Sequence, residues 1–314
     1  MITTIAGGVG AARMLSALQR VVPSDELTAI VNVADDTRVN GLAVSPDLDT
    51  VTYTLAGAID PERGWGLEGE SWAAMEALGA YGSSSGRDDI GWFNLGDRDL
   101  GTHLYRTTRL AEGAPLSEVT AEVARRWEVD VTVLPVSDDL ISTRVRVVDG
   151  DEIGFQDYFV RRRHDVAVEA VRFDGIGVAR PAPGVIESIE TADIVLIAPS
   201  NPIVSIAPVL EVGGVRDAVR ARRSRCVAVS PIVGGAALKG PADRLMRELG
   251  HEPGVVGVAR AYAGDAAVLV IDDEDADHAA AVAEAGMIPL VTPTVMSRPG
   301  VAEGLARAVL GAVG

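Results

Sequence analysis

The chain has 314 residues, 47% of them apolar, a formal charge of −17 and a single cysteine, Cys226. That length and apolar content support a large buried core, arranged as one big α/β domain or two smaller ones. The acidic balance excludes a nucleic-acid partner, which needs basic surface to replace phosphate counterions, and one cysteine excludes an intrachain disulfide and a cysteine-built zinc site within a monomer.

Met1 to Ala6 reads as a short apolar strand, Gly7-Gly8-Val9-Gly10 as a turn, and a helix is predicted from near Ala11 to about Arg20. Glycines let a backbone approach a phosphate, and the N–H groups opening a helix face the arriving anion. The turn therefore predicts either a nucleotide-phosphate site or a bare strand-to-helix connection. Arg13 stands where the third glycine of a dinucleotide fingerprint belongs, and no Lys-Ser/Thr pair follows as in a P-loop. A signal peptide is not expected from a start that runs directly into a strand, nor a membrane span from apolar runs this short, so the expected location is the cytoplasm.

Leu27 to Val33 predicts a second parallel strand. Directly after it, Asp35, Asp36, Asp47 and Asp49 fall within fifteen residues of a loop broken by Gly41 and Pro46. Asp49 and Thr50 suit caps for a helix starting at Val51, but four carboxylates beyond a strand end favour a metal-binding or hydroxyl-binding role. An insert-like region from Pro61 to Arg87 carries Trp65 and Trp72 and ends in a Gly82-Ser83-Ser84-Ser85-Gly86 run that reads as a flexible loop. In Gly96-Asp97-Arg98-Asp99, at the start of a helix to about Ala111, Arg98 suits a phosphate or a ring carbonyl. His103 has no partner at metal-ligand spacing and reads as structural or hydrogen-bonding.

A helix is predicted over Pro115 to Trp127 and a strand over Val129 to Leu134. A hairpin (Ile141 to Val148, Glu152 to Phe155) turns at Asp149-Gly150, and another strand covers Val168 to Phe173. With the Arg161-Arg162-Arg163 run, read as a solvated helix end, these form a subsidiary α+β region at about 130–180 within a single α/β domain spanning 1–314. Strands near Ala192 to Ala198 and Arg225 to Ser230 each end in a serine beside a proline, stiff platforms for Ser200, Asn201 and Ser230; Lys239-Gly240-Pro241 opens the next helix. Strands at Ala266 to Ile271 and Met287 to Val291, a helix at Asp275 to Ala285 and a terminal helix from about Arg298 complete the pattern. The fold class predicted is α/β, a doubly wound, mainly parallel Rossmann-like sheet.

Taken together, Ala6 to Gly10, Asn32 to Asp36, Ser45 to Thr50, Leu95 to Asp99 with Thr102-His103, Ser137 to Asp139, Phe155 to Asp157, Pro199 to Pro202 and Ser230-Pro231 resemble the 2-phospho-L-lactate transferase family of coenzyme F-420 biosynthesis. Arg63 to Gly66 with Trp72 resembles the actinobacterial branch that uses a phosphoenolpyruvate-derived donor. The resemblance implies a Mg²⁺-dependent enzyme. It would move a 2-phospho-L-lactyl or phosphoenolpyruvyl group from a guanosine diphosphate ester to the ribityl hydroxyl of the deazaflavin 7,8-didemethyl-8-hydroxy-5-deazariboflavin (Fo), with GMP leaving. It implies that Asp49, Arg98 and Asp36 meet Fo. Asp49, with Asp47, would hold the metal or receive the hydroxyl proton. Gly7, Gly8 and Gly10 would border the donor diphosphate, with Arg13 adding charge, and Ser200 and Asn201 would line the guanosine side. Ser230 is a further candidate, and a homodimer is expected.

Two rivals remain. A related family of nucleotide-sugar-binding regulators shares the glycine turn and the Asp-Asp loop. There, however, the loop continues as Gly-Gly-Ser-Ser-Gly, where this chain has Thr37-Arg38-Val39-Asn40. An NAD(P)-linked oxidoreductase shares only the turn, without the third glycine or an isolated ribose-binding acid.

Overall fold

The computed structural model describes residues 1–87, 90–148 and 150–313. Its strands are β1 (Ile2–Ala6), β2 (Leu27–Val31), β3 (Thr37–Val39), β4 (Leu42–Val44), β5 (Thr132–Pro135), β6 (Ser142–Val147), β7 (Glu152–Gly154), β8 (Val168–Asp174), β9 (Ile194–Ile197), β10 (Cys226–Val229), β11 (Ile232–Val233), β12 (Ala236–Ala237), β13 (Val268–Ile271) and β14 (Ile288–Val291). The helices are α1 (Val9–Leu18), α2 (Pro46–Leu55), α3 (Ala73–Ser85), α4 (Asp99–Ala111), α5 (Leu116–Arg126), α6 (Val185–Thr191), α7 (Ala207–Glu211), α8 (Val215–Ala221), α9 (Ala242–Glu248), α10 (Val255–Tyr262), α11 (Ala279–Glu284) and α12 (Val301–Gly311).

Strands whose every residue is buried need cover on both faces, the condition of a parallel sheet between helix layers. β1, β2, β9, β10 and β13 are of this kind. They form a seven-stranded sheet in the order β14-β13-β10-β9-β1-β2-β5, parallel at each pairing. Ile5, Ile30 and Leu196 at its centre are fully buried, as is Leu15 of α1 in the same core. From β1 the chain builds outward to β2 and β5 on one side, and later from β9 to β14 on the other. The winding therefore reverses between β1 and β9, and in open α/β sheets ligands lie beyond the carboxyl ends of strands at such a reversal. In contrast, β6 alternates between covered and partly open positions and lies antiparallel between β7 and β8, forming a small separate sheet from Ser142 to Asp174. Its β6–β7 turn includes Asp149, which lies outside the described residues.

Three local expectations are corrected. The loop after β2 contains a hairpin, β3 with β4, turning at Asn40-Gly41, where both residues take positive φ. α2 begins at Pro46 rather than Val51, because proline's fixed φ and missing donor suit a first helical position; Asp47 and Asp49 are thus first-turn residues and not caps. The serine run is helical through Ser85: Ser83 and Ser85 donate back to the carbonyls of Gly79 and Tyr81, and Gly86 at φ +68° ends the helix. No helix among the described residues is long and apolar enough to cross a membrane.

Candidate functional site

The carboxyl ends of β1, β2 and β9 carry the glycine turn, the Asp-Asp loop and the Pro199-Ser200-Asn201 turn. At Gly7 a Cβ would lie 2.6 Å from Ser205 Cβ and 3.2 Å from Ser200 Cβ; at Gly8 it would lie 2.5 Å from Asp47 Oδ1. At Gly10 it would lie 2.0 Å from the Pro199 carbonyl oxygen. The first two glycines therefore let the Ser200, Ser205 and Asp47 side chains close on the turn at the crevice beyond the strand ends, whereas Gly10 lets α1 pack on the β9 loop. α1 starts at Val9 with no side chain capping it, which leaves its first amides facing the crevice. Ser200 Oγ is buried there without a hydrogen-bond partner among the described residues. Asn201 spends its amide oxygen on the N–H groups of Ile203 and Val204, and Ser230 Oγ is bonded to both the N–H and the carbonyl of Ile232. These two side chains stiffen their own turns. Arg13 is exposed, one turn along α1 from Val9.

Beside the glycine turn the acids gather. Asn32, fully buried, bends the chain by accepting the Ala34 N–H and donates 3.0 Å to Asp47 Oδ2. Thr143 donates to Asp35 and Ser45 to Asp36, the latter at 2.6 Å. Asp36 Oδ1 remains buried with no hydrogen-bond partner among the described residues. Burial pushes Asp36 up to about 8 against the Ser45 hydrogen bond, and pushes Asp47 up to about 6. Asp35 also stands well above the usual carboxylate range, from burial and then from the charge of Asp47. A 170 Å³ cavity opens beside Asp35 and Asp36, walled by Trp92, Thr143, Arg144 and Phe155.

Asp49 has different company. Two residues apart on a helix, side chains diverge, and Asp49 points to Arg106, whose two terminal nitrogens grip its carboxylate. Both residues are at least 95% buried. His103 Nδ1 lies 3.8 Å from Asp49, its Nε2 lies 3.3 Å from Asp99, and Tyr53 donates 2.6 Å to Asp99. Burial opposes ionisation of Asp99, yet the His103 and Tyr53 bonds hold it below the usual carboxylate range. Asp49, Asp99 and His103 each place one ligand atom within 4.8 Å of the others. The Arg106 guanidinium already takes both oxygens of Asp49, so a cation would have to displace it there. Arg98 lies apart from the crevice acids: its guanidinium donates to the Glu68 carbonyl and its backbone N–H to Glu70.

Sequence reasoning missed the work of Asn32, Ser45, Thr143 and Arg106. Arg106 was traceable as a helical neighbour of His103, three residues on. Asp97 accepts from the N–H groups of Ala73 and Ala74 and so caps α3 from a distance.

A family model described as 2-phospho-L-lactate transferase CofD matches residues 2–291. The chain belongs to this family. It is accordingly a transferase enzyme of coenzyme F-420 biosynthesis. It is 44% identical over 277 residues to a phosphoenolpyruvate transferase of Nocardia farcinica, covering 86% of this chain and 82% of the relative. A phosphoenolpyruvate transferase of Streptomyces griseus is 42% identical, with 98% and 97% covered, and one of Mycolicibacterium smegmatis is 39% identical, with 100% and 98% covered. The crystal structure of protein BH3568 from Bacillus halodurans, described elsewhere as a UPF0052 family member, shares the fold at a TM-score of 0.64, with 17% identity and 98% of each chain covered.

Proposed function

We propose that this 2-phospho-L-lactate transferase family member takes its phosphorylated three-carbon acid from a guanosine diphosphate ester and hands it to the ribityl hydroxyl of Fo, releasing GMP. The enolpyruvyl donor is favoured over the lactyl one by the names of the 39–44% identical relatives. The supporting observation is the meeting of three under-neutralised carboxylates with an uncapped helix start at the sheet's switch point. Anionic phosphates and anionic side chains share one place only with a cation between them.

The orphaned Asp36 oxygen and an all-oxygen donor set fit a hard divalent ion. Asp35, Asp36 and Asp47 would hold Mg²⁺, which when bound supplies counter-charge to the diphosphate and lowers the pKa of an alcohol. Gly7, Gly8 and the first amides of α1 hold the transferred phosphate, and Ser200 offers its free hydroxyl. Asp49, through Arg106, fixes the wall behind Asp36, and Fo enters through the cavity beside Asp35 and Asp36. The hydroxyl oxygen bonds to the β-phosphorus, the bond from that phosphorus to the bridging oxygen of GMP breaks, and the proton leaves to water. Catalysis is then largely positioning and charge neutralisation. A cytoplasmic homodimer completes the proposal, on family resemblance.

The test is mass spectrometry of the product formed from Fo, Mg²⁺ and each donor in turn. Dehydro-F-420-0 from the enolpyruvyl ester is expected; exclusive use of the lactyl ester reverses the donor assignment, and no product from either overturns the proposal.

A further inference from the structure

Lys239 is the only lysine among the 28 basic residues of the chain. It follows the β11–β12 hairpin, and its Nζ donates 3.1 Å to the backbone carbonyl of Arg63. A Cβ at Gly64 would lie 3.0 Å from that Nζ and 3.7 Å from Val9 Cγ1, so the ammonium and the first residue of α1 border one small space. Arg13, four residues after Val9, lies on the same face of α1. Neither Arg13 nor Lys239 has a carboxylate partner among the described residues, in a protein with 45 acids.

Two cations side by side without a counter-ion are unfavourable unless an anion joins them. Partial desolvation of its ammonium, and then the charge of Arg13, holds Lys239 below its ordinary value, as such crowding requires. The open helix start and the unpartnered Ser200 hydroxyl, 93% buried beside Gly7, face the same crevice. The carbonyl that Lys239 now holds belongs to a fixed loop. Arg63 is clamped by Asp60, donates to the Leu67 carbonyl, and lies 5.4 Å and 5.3 Å from the rings of Trp65 and Trp72. A neutral carbonyl is a weaker acceptor than a phosphate oxygen, and lysine's rotatable point charge can exchange one for the other.

We propose that Lys239, with Arg13, binds the diphosphate of the donor nucleotide, Lys239 leaving the Arg63 carbonyl for a phosphate oxygen. This rests on the nucleoside-diphosphate donor proposed above and adds a residue to its site.

A single lysine makes the test direct. The protein is acetylated with an N-hydroxysuccinimide ester, with and without GDP and Mg²⁺, and labelling is read by peptide mass spectrometry. The Met1 amine, at the opposite end of β1 and paired with Asp193, is the internal reference. GDP is expected to slow Lys239 labelling roughly tenfold and leave Met1 unchanged. Lys239→Ala is expected to weaken GDP binding in calorimetry by roughly tenfold, and Lys239→Arg to retain most of it. Lys239 is exposed, so these variants keep the fold. Wild-type GDP binding with unaltered labelling, and equal affinity in Lys239→Ala, overturns the assignment. Failure of the wild type to bind GDP removes the donor proposal and this one with it. GDP binding that depends on Lys239, without product from any donor, supports this assignment and contradicts only the transfer.

Discussion

Gly8 and Gly10 lie two residues apart in one turn, yet a methyl group at each meets a different obstacle. At Gly10 it meets the Pro199 backbone, which cannot yield, so Gly10→Ala is expected to destabilise the fold by about 1–3 kcal/mol, read as a fall in Tm. At Gly8 it meets the end of the Asp47 side chain, which can swing aside. Gly8→Ala is expected to keep its Tm and lose activity roughly a hundredfold, because misplacing a positioned group by about 1 Å has that effect. The reverse pattern would separate Gly8 from the site. Arg106 makes the opposite case, of an anion already satisfied. Arg106→Leu leaves Asp49 buried and unpaired and is expected to lose about 3–5 kcal/mol in denaturant unfolding; adding Asp49→Asn should recover part of the loss. A neutral Arg106→Leu would show that the pair carries no stability.

Among the elements, α3 depends on a side chain distant in sequence. Asp97 accepts from Ser71 and from the N–H groups of Ala73 and Ala74, and these bonds hold its carboxyl below the usual range. A carboxylate depressed in the folded state adds stability above its unfolded pKa, and that stability is lost as pH falls through the folded pKa. α3 amides should therefore exchange faster with solvent below about pH 4, and Asp97→Asn should show much of that faster exchange already at pH 7. Exchange rates unchanged in the variant would rule out the cap. Elements with strong local signals were legible: β9, β10 and β13 announce themselves by unbroken apolar runs, β1 and β2 by apolar and β-branched residues, and α4 and α5 by their periodicity. The start of α2 was missed because the four aspartates drew attention from Ser45-Pro46, the stronger local signal. The last turn of α3, the Gly82–Ser85 run, was read as a loop because serine's preference for loops yields where it can donate to its own helix's carbonyls.

Across the whole molecule, the strand order explains why distant segments converge. A reversal of winding between β1 and β9 brings Gly7, Asn32 and Ser200 to one edge of the sheet, and sequence patterning predicts such an edge without saying which side chains will turn toward it. Asp47 and Asp49 therefore read as one pair in the chain but split in space, one to the glycine turn and one to Arg106. The charge of −17 fits the same picture: with 45 acids against 28 bases, a phosphate ester is met only where cations are placed for it. The most direct measurement is an anomalous difference map from crystals grown with Mn²⁺ and GDP, Mn²⁺ standing in for Mg²⁺. A peak bonded to oxygens of Asp47 and Asp36, with the GDP phosphates against the start of α1, is the expected result. A peak lodged elsewhere, with the Asp47 and Asp36 carboxylates free of metal, would contradict it.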